Sequence, residues 1–106
     1  MTYTNIGKIK AWLRIPELDT TYDSELSEIL ESVDREIDVV LGRFTQVPVA
    51  EADVREILSD IEAEWAAGVF RARREGVERE HPWVSDAKAR LLDIIRSRYL
   101  TSFETA

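Results

Sequence analysis

The sequence contains no cysteine, a single histidine and no long apolar run. The absence of cysteine excludes a disulfide scaffold, a thiolate zinc site and a cysteine nucleophile. No apolar stretch approaches the roughly 18 residues that a membrane span needs, and the first residues, MTYTNIGKIK, lack the apolar core of a secretory signal. The four glycines are isolated, which excludes a glycine-rich phosphate loop. We therefore expect a protein made in cytoplasm, without membrane contact and without a cofactor.

The composition is that of one small folded domain, residues 1–106, with a net charge of −7 and 44% hydrophobic residues. The charge is unevenly spread. Residues 1–70 contain 15 acidic and 6 basic residues, a net charge of −9, and residues 71–106 contain 6 acidic and 8 basic residues, a net charge of +2. An acidic chain is a poor candidate for wrapping nucleic acid. A chain with an acidic and a basic region can, however, dock head to tail on its own copies.

The spacing of the apolar residues predicts four helices and no strand. We place them at residues 5–14, 24–41, 51–75 and 84–100. Thr4 or Asn5 caps the first helix, Asp23 the second, and Gly42 ends the second. The third helix begins with several acids, and Gly68 inside it either admits another helix at close range or marks a bend. We expect an all-α bundle of about four helices, with a short first helix, a long third helix and a flexible tail over residues 101–106.

No group of residues predicts catalysis or metal binding. His81 follows Glu78 at the spacing used in di-iron bundles, but such a site needs a second pair and the chain has no second histidine. Ser85 and Asp86 lie at a predicted helix start, where one of them caps the helix rather than forming a triad with His81. The acids of the second helix are typical of a solvated face. We expect a protein that is not an enzyme.

The candidate interaction residues are basic, aromatic and acidic side chains near helix ends. The arginines of the third helix fit a solvated helix end, a surface that pairs with acidic helix faces, or a small nucleic-acid patch. Trp65 lies in the core stripe, whereas Trp12 and Trp83 are either interface anchors or caps on a small core. As interface residues we predict Arg71, Arg73, Arg74, Arg79, Trp83, Glu28, Glu31 and Phe103.

The order of the segments resembles a family of viral structural proteins. A short helix ending in WLRIP is followed by the acidic turn DTTYD and by DSELSEILESVDREID; a proline precedes the long helix in VPVAEADVREIL, that helix ends in VFRARRE, and AKARLLDIIRSRYL follows. Residues 6–100 are thereby similar to tailed-bacteriophage head–tail connector proteins, also called adaptors. One departure is Ser32 and Val33, where family members often carry a pair of small alanines.

The resemblance implies a non-enzymatic protein of the virion, made in the host cytoplasm and located at the head–tail junction. It implies a ring, commonly twelve-fold, that binds the portal protein on one side and a tail-side stopper or completion protein on the other. DNA would only pass through its channel. The alternative is a small regulatory helical module, such as an antitoxin or an anti-repressor, that binds one partner by helix-in-groove contact in a one-to-one complex or a dimer.

Overall fold

The computed structural model describes residues 2–76 and 79–100 and confirms the all-α bundle. Its four helices are α1 (Ile6–Leu13), α2 (Asp23–Leu41), α3 (Ala52–Glu75) and α4 (Pro82–Arg98). The first helix is short, with 8 residues, and the third is the longest, with 24. The predictions for residues 101–106, including Phe103, and for Glu78 concern positions outside the described residues.

The long helix α3 forms the centre of the bundle and packs against the other three helices, most extensively against α4. Every residue from 61 to 68 is buried, so this part of α3 is covered on all sides. Small residues make that possible, because Ala63, Ala66, Ala67 and Gly68 let neighbouring helices approach closely. The apolar residues that repeat at intervals of four and three along α2 lie in the core, with Leu26, Leu30, Val33 and Ile37 all buried.

The ends of α1 follow from its sequence. Asn5 caps the N-terminus, and its Oδ1 accepts a hydrogen bond from the Lys8 backbone N–H at 3.0 Å. At the other end Arg14 adopts the left-handed conformation, with φ of 58°, so that the Ile15 N–H reaches the Lys10 carbonyl at 2.9 Å. Pro16 follows and prevents any continuation of the helix. Asp23, predicted as the cap of α2, is instead its first helical residue.

The start of α4 differs from the prediction. The helix begins at Pro82 rather than near residue 84, because proline fits the first turn, where its missing N–H would have no partner. His81 is the capping residue, and its Nδ1 accepts a hydrogen bond from the Trp83 N–H at 3.1 Å. The prediction that Ser85 or Asp86 caps this helix is therefore wrong; both lie inside its exposed first turns.

Gly68 marks a close approach between α3 and α4, one of the two roles predicted for it. A Cβ atom at this position would lie 2.8 Å from Cγ2 of Val84 and 3.1 Å from both the Val84 nitrogen and Cβ of Trp83. The absence of a side chain therefore allows the first turn of α4 to rest directly on α3. This contact fixes where Trp83 emerges from the bundle.

Candidate functional site

A groove at one end of the bundle is lined by aromatic and basic side chains. Its lining is Ala11, Trp12, Leu13, Arg14, Arg71 and Trp83, and its volume is about 700 Å³. We call it the tryptophan groove. The rings of Trp12 and Trp83 meet edge to face, with centroids 5.2 Å apart. Trp12 is 38% exposed, so part of its ring is accessible to a binding partner.

Two arginines give the tryptophan groove a positive charge. The Arg71 guanidinium lies 5.3 Å from the centroid of the Trp83 ring, in cation–π geometry. Arg14, the capping residue at the C-terminus of α1, also lines the groove. Neither arginine forms an ion pair with any carboxylate among residues 2–76 and 79–100. The groove can therefore receive an apolar group that is flanked by negative charge.

Arg73 and Arg74, predicted as interface residues with Arg71, are engaged within the chain. Arg74 contacts Glu25 at 2.6 Å and Arg73 contacts it at 3.5 Å. The Arg74 guanidinium also lies 4.4 Å from the centroid of Phe70 and 5.2 Å from that of Tyr22. These contacts hold the start of α2 to the end of α3. Of the three arginines, Arg71 alone lines the tryptophan groove.

Arg79 lies in a second depression next to the groove, which also contains Arg71. Its charges are mixed, because Glu75, Glu80 and Asp86 line it as well; its volume is about 700 Å³. His81, at its edge, lies 3.7 Å from Glu75 through Nε2 and packs edge to face on Trp83 with ring centroids 5.0 Å apart. Trp83 is thus held between His81 and Trp12.

Glu28 and Glu31 lie apart from the groove, on the exposed face of α2. Neither forms an ion pair with a side chain in the described part of the chain. Within one molecule the structure therefore brings together Arg71, Arg79 and Trp83, and leaves Glu28 and Glu31 on a different surface. The predicted interface residues do not form one continuous patch.

Sequence reasoning missed a buried carboxyl pair between α3 and α2. Glu62 is fully buried, and its Oε1 accepts hydrogen bonds from the Tyr3 and Thr4 backbone N–H groups, both at 2.9 Å. Burial, together with the neighbouring Asp34 carboxyl within hydrogen-bonding reach, raises the pKa of Glu62 to about 8. Glu62 Oε2 and Asp34 Oδ1 are buried and receive no hydrogen bond from the described residues, so a proton on Glu62 can bridge the two carboxyl groups.

Tyr3 completes the anchoring of the N-terminal segment. Its hydroxyl donates to Asp38 at 2.6 Å and accepts from the Val49 N–H at 2.9 Å. Burial, together with the bond to Asp38, raises the pKa of this hydroxyl far above its usual range. The Arg55 guanidinium covers the ring at 5.1 Å from its centroid. Tyr3 and Thr4 are therefore part of the core.

Lys10 is a second buried charge that the sequence analysis overlooked. Only 4% of it is exposed. Its Nζ donates to the carbonyls of Glu17 and Asp19, at 3.1 and 2.8 Å, and lies 2.6 Å from Asp23. The signal was present, because position 10 falls next to Ile9 on the apolar side of α1. Glu62 carried a similar signal, four residues after Leu58 and three before Trp65.

The described residues contain neither a cluster of metal-binding side chains nor a helix that could span a membrane. No group of three or more histidine or acidic side chains within residues 2–76 and 79–100 is arranged to hold a metal ion. In the same ranges no helix is both long and apolar enough to cross a membrane. Comparisons with protein-family models, curated proteins and solved structures find no match for this chain. A function must therefore rest on the fold, the tryptophan groove and the charge distribution.

Proposed function

We propose that this protein is a ring-forming structural subunit of the head–tail connector of a tailed phage. It joins the portal to a tail-side completion protein and continues the DNA channel between them, without catalysing a reaction. The proposal is carried by one observation: a positively charged aromatic groove and unpaired acidic surfaces occupy different sides of one small domain. The resemblance of residues 6–100 to connector proteins gives the biological setting.

The distribution of surface charge supports contact between copies. The tryptophan groove presents Arg14 and Arg71 without intrachain ion pairs to the described residues, whereas Glu28 and Glu31 face solvent on α2. When complementary surfaces lie on different sides of a molecule, the contact is head to tail, and repeated contacts of that kind close into a ring or continue as a filament. Opposite charges favour the correct docking and disfavour like-to-like contact.

The overall charge also suits a wall around passing DNA. The chain carries a net charge of −7, and a protein needs clustered lysine and arginine to hold the phosphate backbone. An acidic lumen repels DNA and allows it to slide. In this proposal DNA is a passenger in the channel, and the lasting partners are neighbouring copies, the portal and the completion protein at the head–tail junction of the virion.

Native mass spectrometry of the protein, alone and mixed with the portal protein of the same phage, tests the proposal. We expect a high-order species, near twelve copies, either intrinsically or on the portal. Arg71→Glu should weaken this assembly while leaving the fold intact, because Arg71 is exposed and forms no ion pair with the described residues. Arg73→Glu is a less informative variant, since it also disrupts the contact with Glu25. A monomer or a dimer that does not bind the portal protein would contradict the connector function.

A second candidate, a helix-binding regulatory module, is favoured by a different groove. Ser32, Arg35, Glu36, Val39, Val40, Trp65 and Lys88 line an opening of about 570 Å³ between α2 and α4. Val39 is 64% exposed at its edge, and the Lys88 ammonium lies 5.3 Å from the centroid of Trp65. An amphipathic helix could dock there. A stable one-to-one complex with a helical partner, in place of a ring, would favour this candidate.

A further inference from the structure

A turn before α2 presents one apolar side chain almost completely to solvent. Leu18 is 94% exposed, more than any other large apolar residue of the described chain. It stands between Glu17 and Asp19, two acids. The Thr21 hydroxyl donates to Asp19 at 2.6 Å and lowers the pKa of that carboxyl, which keeps it ionised. We call residues 17–19 the Leu18 knob.

The Leu18 knob is held rigidly by the buried lysine. Lys10 Nζ donates to the carbonyls of Glu17 and Asp19, the residues on both sides of Leu18. The Asp19 N–H also donates to the Pro16 carbonyl at 2.9 Å, which closes the turn. Burying a lysine charge is unfavourable unless its donors are satisfied, and here they fix a surface turn. A turn ordered before binding loses little entropy when it docks.

The chemistry of the Leu18 knob complements that of the tryptophan groove. The knob offers an aliphatic side chain flanked by two acids. The groove offers two tryptophan rings flanked by Arg14 and Arg71, neither of which has a carboxylate partner among the described residues. Large aromatic side chains and arginines are the residues that most often dominate binding energy at interfaces.

The Leu18 knob lies outside the tryptophan groove of its own molecule, because none of residues 17–19 lines that groove. Leu18 of one molecule is also too exposed to occupy its own groove. A contact between two different surfaces of the chain can propagate from copy to copy, as a ring requires.

We infer that the Leu18 knob of one copy inserts into the tryptophan groove of the next, with Glu17 and Asp19 paired to Arg14 and Arg71. This inference rests on the proposed ring and identifies its contact. It places Glu17 and Asp19, rather than Glu28 and Glu31, opposite the two arginines of the tryptophan groove.

Site-specific cross-linking tests the contact directly, because the chain has no cysteine of its own. Leu18→Cys protein is mixed with Ala11→Cys protein under the conditions that give the high-order species, and a short bismaleimide is added. Ala11 is exposed on the groove wall. We expect a cross-link between positions 18 and 11 of different copies. The matched control is Leu92→Cys, which is 48% exposed on α4 and does not line the groove.

Charge exchange gives an independent measurement. Glu17→Arg and Arg71→Glu should each weaken assembly about tenfold, a typical effect for a central interface residue, and the two variants mixed or combined should recover it. Leu18→Asp should weaken assembly to a similar extent. Since these residues are exposed, circular dichroism should show an unchanged fold.

The outcomes separate the contact from the function. One outcome would contradict the knob contact but not the ring. In that outcome the high-order species forms and Leu18→Asp assembles normally, and position 18 either reacts with position 92 as readily as with position 11 or does not react at all. If no assembly forms with or without the portal, both the contact and the connector function are wrong. Recovery by charge exchange together with the 18–11 cross-link supports the inference.

Discussion

We expect the wild-type protein to lose stability as the pH rises from about 5 to about 8. Replacing Glu62 with glutamine should remove much of that loss. In the unfolded chain the pKa of this carboxyl is near 4.5, whereas in the folded protein it is about 8. Between these values the folded state holds a proton that the unfolded state has released. The contribution of Glu62 to the free energy of unfolding therefore falls as the pH rises through this window and is constant on either side of it.

The size of this pH-dependent loss of stability follows from the difference between the pKa of Glu62 in the folded and in the unfolded chain. Each pH unit within the window lowers the free energy of unfolding by up to about 1.4 kcal/mol. A change of a few kcal/mol is a large share of the roughly 5–15 kcal/mol that stabilises an ordinary domain. Glutamine is neutral at every pH, its Oε1 can still accept from Tyr3 and Thr4, and its amide can donate to Asp34 as the protonated acid does.

Urea denaturation followed by tryptophan fluorescence at pH 5, 6, 7 and 8 gives the comparison. We expect the two proteins to have similar stability at pH 5 and Glu62→Gln to be the more stable at pH 8. The control is Glu64→Gln, which loses the 3.1 Å contact with Arg90 but keeps Glu62 and should therefore keep the pH slope. A wild-type protein of constant stability over this range, or a Glu62→Gln variant with an unchanged slope, would refute the reasoning.

Three further substitutions each test one contact within the structure. Gly68→Ala should lower the free energy of unfolding by about 1–3 kcal/mol, because the new Cβ would meet Val84 at 2.8 Å, although alanine is the better helix former; a raised melting temperature would contradict this. Lys10→Met should speed amide exchange at residues 17–21, and unchanged exchange would show that Lys10 does not order this turn. Glu25→Gln should reduce stability by about 1 kcal/mol or less, with the difference shrinking in high salt; a loss independent of salt would argue against the Arg74 ion pair.

The helices were predictable because each buries an apolar stripe of helical period. Leu26, Leu30, Val33 and Ile37 repeat at intervals of four and three, and all are buried. Position Gly68 was also informative, since a glycine in the middle of a helix needs a packing reason. Helix ends were less predictable. The start of α4 depends on a histidine cap and a proline in the first turn.

The roles of individual charged residues could not be read from the sequence, because they depend on tertiary neighbours. Glu62 belonged to an acidic run at the start of α3 and is instead enclosed by the N-terminal segment and α2. Arg71, Arg73 and Arg74 are near neighbours in sequence, yet helical rotation sends one to the tryptophan groove and two to Glu25. The groove itself joins side chains about 70 residues apart.

The most direct test of the account is electron cryo-microscopy of the protein assembled with the portal. We expect a closed ring of identical copies in which every tryptophan groove faces a neighbouring copy. A chain that binds the portal or another protein singly, with the groove open to solvent and no contact between copies, would contradict it.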